Sequence, residues 1–142
     1  MAYMIKQTDT FRCTLVAVVN SLRLLGYPVT LKDIINIKDV SCEGATEAEL
    51  LPIFSHFGLD AKILFMHNID KLQIGDITSY QSDLESYHMV TVVDKHTSGF
   101  GIANFRREDL GGFQWEEYDT VYLTKEELKG IMEVVTPVIR II

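Results

Sequence analysis

The order of apolar and polar residues divides the chain into two halves with different periods. Residues 13–25 are apolar on nearly every face, which is typical of a helix buried on most sides, although the valine-rich centre would also suit a strand. A second helix is predicted over residues 31–37. A third is predicted to begin at the capping-box pattern Thr46–Glu49 and to end at Gly58. The first half is therefore predicted to be helical.

The second half consists of short apolar segments separated by residues typical of turns, a pattern that predicts strands. A short helix capped by Thr124 is predicted to run to about Met132, and Pro137 predicts an edge strand or a bulge in the final segment. Helices followed by antiparallel strands indicate one α+β domain over residues 1–142. The predicted strands are residues 61–66, 76–82, 87–94, 99–105, 119–124 and 135–142.

Composition narrows the possible partners. Acidic residues outnumber basic ones by 20 to 13, which gives a formal net charge of −7. Nucleic acid is therefore not expected as a partner, and neutral or basic peptides are weakly favoured. The N-terminus lacks the pattern of a signal peptide and no apolar run is long enough to span a bilayer, so we expect a cytoplasmic protein without membrane insertion.

Cys13 stands at the polar edge of the first apolar run, where a helix would begin. With Thr8, Asp9 or Thr10 as the N-cap, Cys13 falls in the first helical turn, and a helix N-terminus favours the thiolate form of a cysteine. The alternative is a small buried hydrophobe, the commoner role of a cysteine. Cys42 lies in a predicted loop and is interpreted as an incidental thiol.

His88 is the one histidine of four that heads an alternating apolar strand. If the hairpin that follows turns through a three-residue loop at residues 95–97, His88 lies directly opposite Asn104. Opposed side chains are about 5 Å apart at Cβ, close enough for an amide to orient an imidazole. A five-residue loop would make the two residues diagonal neighbours, and a four-residue loop would put them on opposite faces of the sheet.

Gln7 precedes Cys13 by six positions and is a candidate donor to an oxyanion, together with the backbone N–H of Cys13. Taken alone, a glutamine at this position is more often a surface residue. The chain has no Cys-x-x-Cys and no His-Glu-x-x-His pattern, so neither a metal ion nor another cofactor is expected.

In this order and with these spacings, six from Gln7 to Cys13 and sixteen from His88 to Asn104, the chain resembles the bacteriocin-leader (double-glycine) peptidases of the papain-like cysteine peptidase superfamily. The stretch "TEAELLPIFSHFGLDAKIL" is also similar to the segment between catalytic Cys and His in that family. There are two departures. Thr14 stands where the family usually has glycine, and Asn104-Phe105 stands where it usually has Asp-Pro.

The resemblance implies a papain-like fold with a helical half packed on an antiparallel sheet and the active site in the cleft between them. It implies Cys13 as nucleophile, His88 as general acid and base, Asn104 as its orienting residue and Gln7 in the oxyanion hole. Trp115 is a candidate shelter for the His–Asn pair, although a core aromatic is its commoner role. The implied reaction is hydrolysis of a peptide or isopeptide bond in a peptide or protein substrate, with glycine-ending and double-glycine sequences as candidates. The alternatives are transfer or deamidation by the same residues, or a catalytically silent module that binds a peptide or protein.

Overall fold

The computed structural model describes residues 4–6, 12–40, 45–81, 87–105, 120–132 and 135–142. Within these ranges the chain forms four α-helices, a short 3₁₀ turn at Ile69–Lys71 and one antiparallel sheet of six strands. The helices are α1 Cys13–Leu24, α2 Leu31–Ile37, α3 Glu47–His56 and α4 Lys125–Ile131. The strands are β1 Ala61–Met66, β2 Ile77–Gln81, β3 Tyr87–His96, β4 Gly99–Ala103, β5 Thr120–Thr124 and β6 Thr136–Ile141.

The helix starts follow local hydrogen bonds where the sequence offers them. At α3 the Glu49 carboxylate accepts from the backbone N–H of Thr46 at 3.2 Å, as the capping-box pattern predicts, and also from the Thr46 hydroxyl at 3.1 Å. The start of α1 differs from its prediction, because the N-cap is Arg12, which makes no side-chain cap. The threonines and the aspartate proposed for that role lie outside the described residues.

The strand order is β1-β6-β2-β3-β4-β5, so the last strand of the chain inserts between the first two. The prediction that Pro137 marks an edge is therefore wrong. Pro137 pairs with Phe65 of β1, while the recorded pairing of β6 with β2 is at Ile139 and Ile77. Pro137 lies outside that short pairing, and its missing N–H costs the β2–β6 ladder nothing.

The sheet has a buried core on each face. The helix-side core combines α1, α2 and α3 with Ile77 and Met89 of the sheet. The opposite core contains Val90 and Val92 with Leu128 of α4. Side chains alternate between faces along a strand, and so neighbouring residues of β3 belong to different cores. No helix in the described ranges is long and apolar enough to cross a membrane.

Two side-chain hydrogen bonds fix α1 against the centre of the sheet. The Thr91 hydroxyl donates to the Ala17 carbonyl at 2.8 Å. One turn further along the helix, the Ser21 hydroxyl donates to the Gly75 carbonyl at 2.8 Å, and the Gly75 N–H donates to the Val92 carbonyl at 2.8 Å. The later residue of α1, Ser21, is thus linked to the later residue of β3, Val92, so the two elements run in the same direction. The N-terminal end of α1 therefore lies toward the first residues of β3.

Candidate active site

His88 is the second residue of β3 and is almost fully buried, with 2% of its surface exposed. Its Nε2 lies 2.6 Å from the backbone carbonyl oxygen of Asn104. A carbonyl oxygen can only accept, so Nε2 carries the proton and donates it. In the neutral ring Nδ1 then keeps its lone pair. The contact selects the tautomer that a general base acting through Nδ1 requires.

The hairpin that brings positions 88 and 104 together has a different register from the predicted one. Its loop has two residues, with His96 paired to Gly99, rather than three. That loop alone would put positions 88 and 104 on opposite faces of the sheet. A β-bulge between Val92 and Asp94 shifts the pairing by one residue, and Thr91 then pairs with Ala103. The shift returns positions 88 and 104 to one face, as diagonal neighbours.

Asn104 follows the last residue of β4 and is fully buried. Its φ of 62° lies in the left-handed region, where asparagine is one of the few non-glycine residues found often. The left-handed backbone occurs at the same residue whose carbonyl oxygen contacts His88. The structure thus joins the two positions through the main chain, and orientation of the imidazole by the Asn104 side-chain amide stays a prediction.

One aromatic side chain contacts the imidazole and a second packs on the first, and sequence reasoning missed both. Tyr80 pairs with His88 across β2 and β3, and the two rings meet edge to face with centroids 5.5 Å apart at 77°. Phe105, next to Asn104, packs on Tyr80 with centroids 4.8 Å apart. Both side chains are buried. The cross-strand position of Tyr80 was the available signal, but it required the β2–β3 register. Trp115, the candidate shelter, lies outside the described residues.

Cys13 is the first residue of α1 and is partly exposed. The first backbone N–H groups of a helix have no partners within it, and the positive end of the dipole favours an anionic sulfur. Ala17, which binds Thr91, follows Cys13 by one turn. The thiol-bearing residue therefore lies about 6 Å further along the axis, toward the start of β3.

The two faces of β3 bear on how a thiol at position 13 would meet the imidazole. Thr91 faces α1, whereas His88 shares the face of Val90 by strand alternation. Contact between the Cys13 sulfur and the His88 ring would have to be made around the first residue of β3. The pairing of Cys13 with His88 stays a prediction.

Arg12 and Asp39 connect the start of α1 to the segment after α2. The guanidinium contacts the carboxylate twice, with Nε–Oδ1 and Nη2–Oδ2 both at 3.0 Å. The hydrogen bond from the Arg12 side chain is the main cause that holds the pKa of Asp39 below its usual range, and the backbone N–H of Val40 adds to it. This bidentate pair restrains the backbone immediately before Cys13.

Asn20 holds the N-terminal segment against α1 by a reciprocal pair of hydrogen bonds. Its side-chain amide donates to the Ile5 carbonyl at 2.9 Å, and its side-chain oxygen accepts from the Ile5 N–H at 2.8 Å. Asn20 is fully buried, and an asparagine inside an apolar run was the sequence signal for such a contact. Gln7 follows Ile5 by two residues and, like Cys42, lies outside the described residues.

With this geometry established, comparison with solved structures shows the fold. A double glycine motif protease from an AMS/PCAT transporter, in complex with the leader peptide, matches with a TM-score of 0.71 over 100% of this chain and 93% of that one, at 16% identity. The peptidase domain of Streptococcus ComA, a bifunctional ABC transporter of a quorum-sensing pathway, matches with a TM-score of 0.68 over 99% and 98%, at 11% identity. The chain has the fold of double-glycine peptidase domains.

Sequence comparison adds nothing further to this result: no protein-family model matches the chain, and no curated protein does. The papain-like α+β class expected from the sequence is confirmed by the fold. The fold brings together the first residues of β3 and residue 104, and it directs the start of α1 toward the same end of the sheet. Among the residues that the structure describes, no group of three His, Cys, Asp or Glu side chains is arranged to hold a metal ion.

Proposed function

We propose that this chain is a cysteine peptidase that hydrolyses a peptide or isopeptide bond through Cys13 and His88. The observation that carries the proposal is the 2.6 Å contact from Nε2 of His88 to the carbonyl oxygen of Asn104. It leaves Nδ1 as the basic nitrogen of a buried, oriented imidazole. The direction of α1 along β3 supports a thiol partner for this nitrogen, since Cys13 begins that helix.

The proposed reaction has two steps. In the first, Nδ1 of His88 takes the proton of the Cys13 thiol and the sulfur attacks the substrate carbonyl, with the backbone N–H of Cys13 and the Gln7 amide as donors to the oxyanion. The carbon–nitrogen bond breaks and the leaving amine takes the proton from Nδ1. In the second step, Nδ1 takes a proton from water, the hydroxide attacks the thioester, and the restored thiol and a carboxylic acid result.

The substrate in this proposal is a peptide cleaved after glycine. One structural neighbour is named as a double glycine motif protease in complex with its leader peptide, and likeness of fold supports a peptide substrate for this chain as well. We further propose the cytoplasm as the place of action, because a reducing compartment keeps a nucleophilic thiol free.

Selective alkylation tests the nucleophile. We expect iodoacetamide at pH about 6 to label Cys13 faster than Cys42, because an activated thiol is ionised there and an ordinary one is not. His88→Ala should reduce the labelling rate of Cys13 to that of Cys42. The Cys42→Ser variant isolates the signal of Cys13, and peptide mapping by mass spectrometry assigns it. Equal labelling of both cysteines in the wild-type chain would contradict the proposal.

Turnover is tested on glycine-ending peptides with the acyl-enzyme trapped for mass spectrometry. We expect a mass addition at Cys13 in the wild-type chain and none in Cys13→Ala. An added amine that becomes joined to the acyl group would identify a transferase, and ammonia release from glutamine would identify a deamidase. Either outcome would replace hydrolysis as the reaction while leaving the nucleophile in place.

A peptide-binding module without catalysis is the second candidate, and one observation favours it. The His88 side chain shares the sheet face of Val90, opposite the face on which Thr91 contacts α1. In such a module the imidazole would serve only to satisfy the carbonyl of residue 104. Peptide binding that is unchanged in Cys13→Ala, with no labelling preference for Cys13, would identify this function.

A further inference from the structure

A cavity of about 240 Å³ opens at the end of the sheet where β3 begins. It lies between the first residue of α3 and three neighbouring strands, β6, β2 and β3. Its described lining residues are Glu47, Ser79, Tyr87, Thr136 and Pro137.

The cavity adjoins the candidate active site. Tyr87 immediately precedes His88, and Ser79 pairs with Met89. Met89 belongs to the helix-side core, against which Cys13 also packs. Tyr87 and Ser79 share the face of Met89 by strand alternation. The cavity and Cys13 are therefore on the same side of the sheet, and a bound peptide could occupy the cavity while its carbonyl approaches the helix start.

The chemistry of the lining is that of a site for a long basic side chain. Glu47 is the one described lining residue that is charged at neutral pH, and no hydrogen bond or ion pair engages its carboxylate within the described ranges. Tyr87, with 56% of its surface exposed, and Pro137 offer apolar surface. Lysine and arginine lay their methylene stems along such surface, present the cation to a carboxylate and gain from an aromatic face.

One effect opposes a cation in this place. The N-terminus of a helix attracts anions, with an effective charge of roughly +0.5, and α3 begins at Glu47. The full charge of the Glu47 carboxylate exceeds that value. Glu49 adds a second carboxylate in the same turn, where it already occupies the backbone N–H of Thr46. Among the described residues of the lining and of this helical turn the charge is negative, in keeping with the net charge of −7.

We infer that this cavity is a specificity subsite that takes a lysine or arginine side chain of the peptide substrate. The inference rests on the proposed function, because it assigns a substrate preference to that same site. It adds a requirement for a basic residue at one fixed distance from the scissile bond, set by the separation of the Glu47 carboxylate from Cys13.

The test measures binding and cleavage separately. Fluorescein-labelled peptide pools, each with one position fixed as lysine, norleucine or glutamate, are titrated against the full chain as Cys13→Ala and read by fluorescence anisotropy. Norleucine keeps the stem of lysine and removes its charge. We expect lysine at one position to bind about fivefold to tenfold more tightly than norleucine, with the preference falling as salt is raised.

Matched variants localise the effect. Glu47→Gln in the same Cys13→Ala chain should abolish the preference for lysine, and Glu47→Lys should transfer it to glutamate. Glu126→Gln is the control, because Glu126 also lies in the first turn of a helix, α4, and should leave the preference intact. A lysine preference that persists in Glu47→Gln, or no charge preference at any position, would overturn the inference.

Cleavage of the same pools by the wild-type chain separates this inference from the proposed function. Glu47-dependent binding of lysine peptides without any cleavage would contradict peptidase activity and leave the subsite standing. Cleavage of the lysine and norleucine peptides at equal rates would support peptidase activity and overturn the subsite.

Discussion

The contact between His88 and residue 104 determines which nitrogen of the imidazole carries the proton. A side-chain amide would orient the imidazole in either of two ways, since it can donate or accept. A backbone carbonyl leaves one choice, and the 2.6 Å distance fixes Nδ1 as the basic nitrogen. The residue at position 104 then matters for its backbone conformation at φ 62° as much as for its side chain.

Substitutions at Asn104 separate these two contributions. Asn104→Gly keeps the carbonyl and tolerates positive φ, so we expect it to retain most of the activity. Asn104→Ala keeps the carbonyl but is strained in the left-handed region by about 1 kcal/mol, so we expect a lower free energy of unfolding and lower kcat. Activity assays with thermal denaturation would check both. Comparable loss of kcat in the two variants, with the glycine variant folded, would assign the orienting role to the side-chain amide.

Neighbouring elements hold the candidate site through contacts that cross from one element to the next. β2 supplies Tyr80 to the ring of His88, and Phe105 after β4 packs on Tyr80. α1 is fixed to β3 by Thr91, and its start is restrained by the pair of Arg12 with Asp39. Each contact crosses from one element to another, and the contacts of Tyr80 depend on the register of the sheet.

Tyr80→Leu tests whether the aromatic contact positions the imidazole. We expect the free energy of unfolding to fall by about 1–3 kcal/mol from lost packing. We also expect kcat of the folded variant to fall, because the ring that contacts the imidazole is gone. The control is Phe100→Leu, a buried ring of the same core that makes no recorded contact with His88. Denaturation curves and pH–rate profiles of both variants, taken where each is folded, provide the comparison. Equal kcat in the two variants would reduce Tyr80 to a packing residue.

The whole molecule carries several carboxylates whose pKa lies below the usual value in the folded state. Asp39 owes this to Arg12, and Asp70 to the side chain of Lys125. Hydrogen bonds from the backbone and side chain of Thr30 do the same for Asp33. A depressed pKa means that the unfolded chain binds more protons. The stabilisation is therefore complete above 3.8, the ordinary pKa of an aspartate, and is lost as pH falls through the lower pKa of the folded state.

Acid unfolding should follow from this linkage. We expect the melting temperature to fall as pH is lowered from about 5 toward 3, and Asp39→Asn to reduce the slope of that decline. Asp60→Asn is the control, because its carboxylate makes no ion pair or hydrogen bond in the described part of the chain, and its slope should match the wild type. Thermal melts across this pH range supply the measurement. Identical slopes for all three proteins would exclude Asp39 as a contributor.

The sequence by itself determined the elements that depend on residues a few positions apart. The bounds of α2 and the start of α3 at Thr46–Glu49 match their predictions, since capping hydrogen bonds and apolar periodicity act over three or four residues. The start of α4 after Thr124 does so for the same reason. Cys13 at a helix start also follows from local pattern, although the cap there is Arg12.

Only the tertiary structure decided how distant segments meet. The bulge at Val93 and the insertion of β6 between β1 and β2 have no local signature in the sequence. Backbone hydrogen bonds are alike along every strand, so they do not by themselves select which strands pair or in which register. The carbonyl of Asn104 as partner of His88 and the ring of Tyr80 beside it both depend on that register. Side-chain type restricts what a site can do, and long-range packing selects which groups share it.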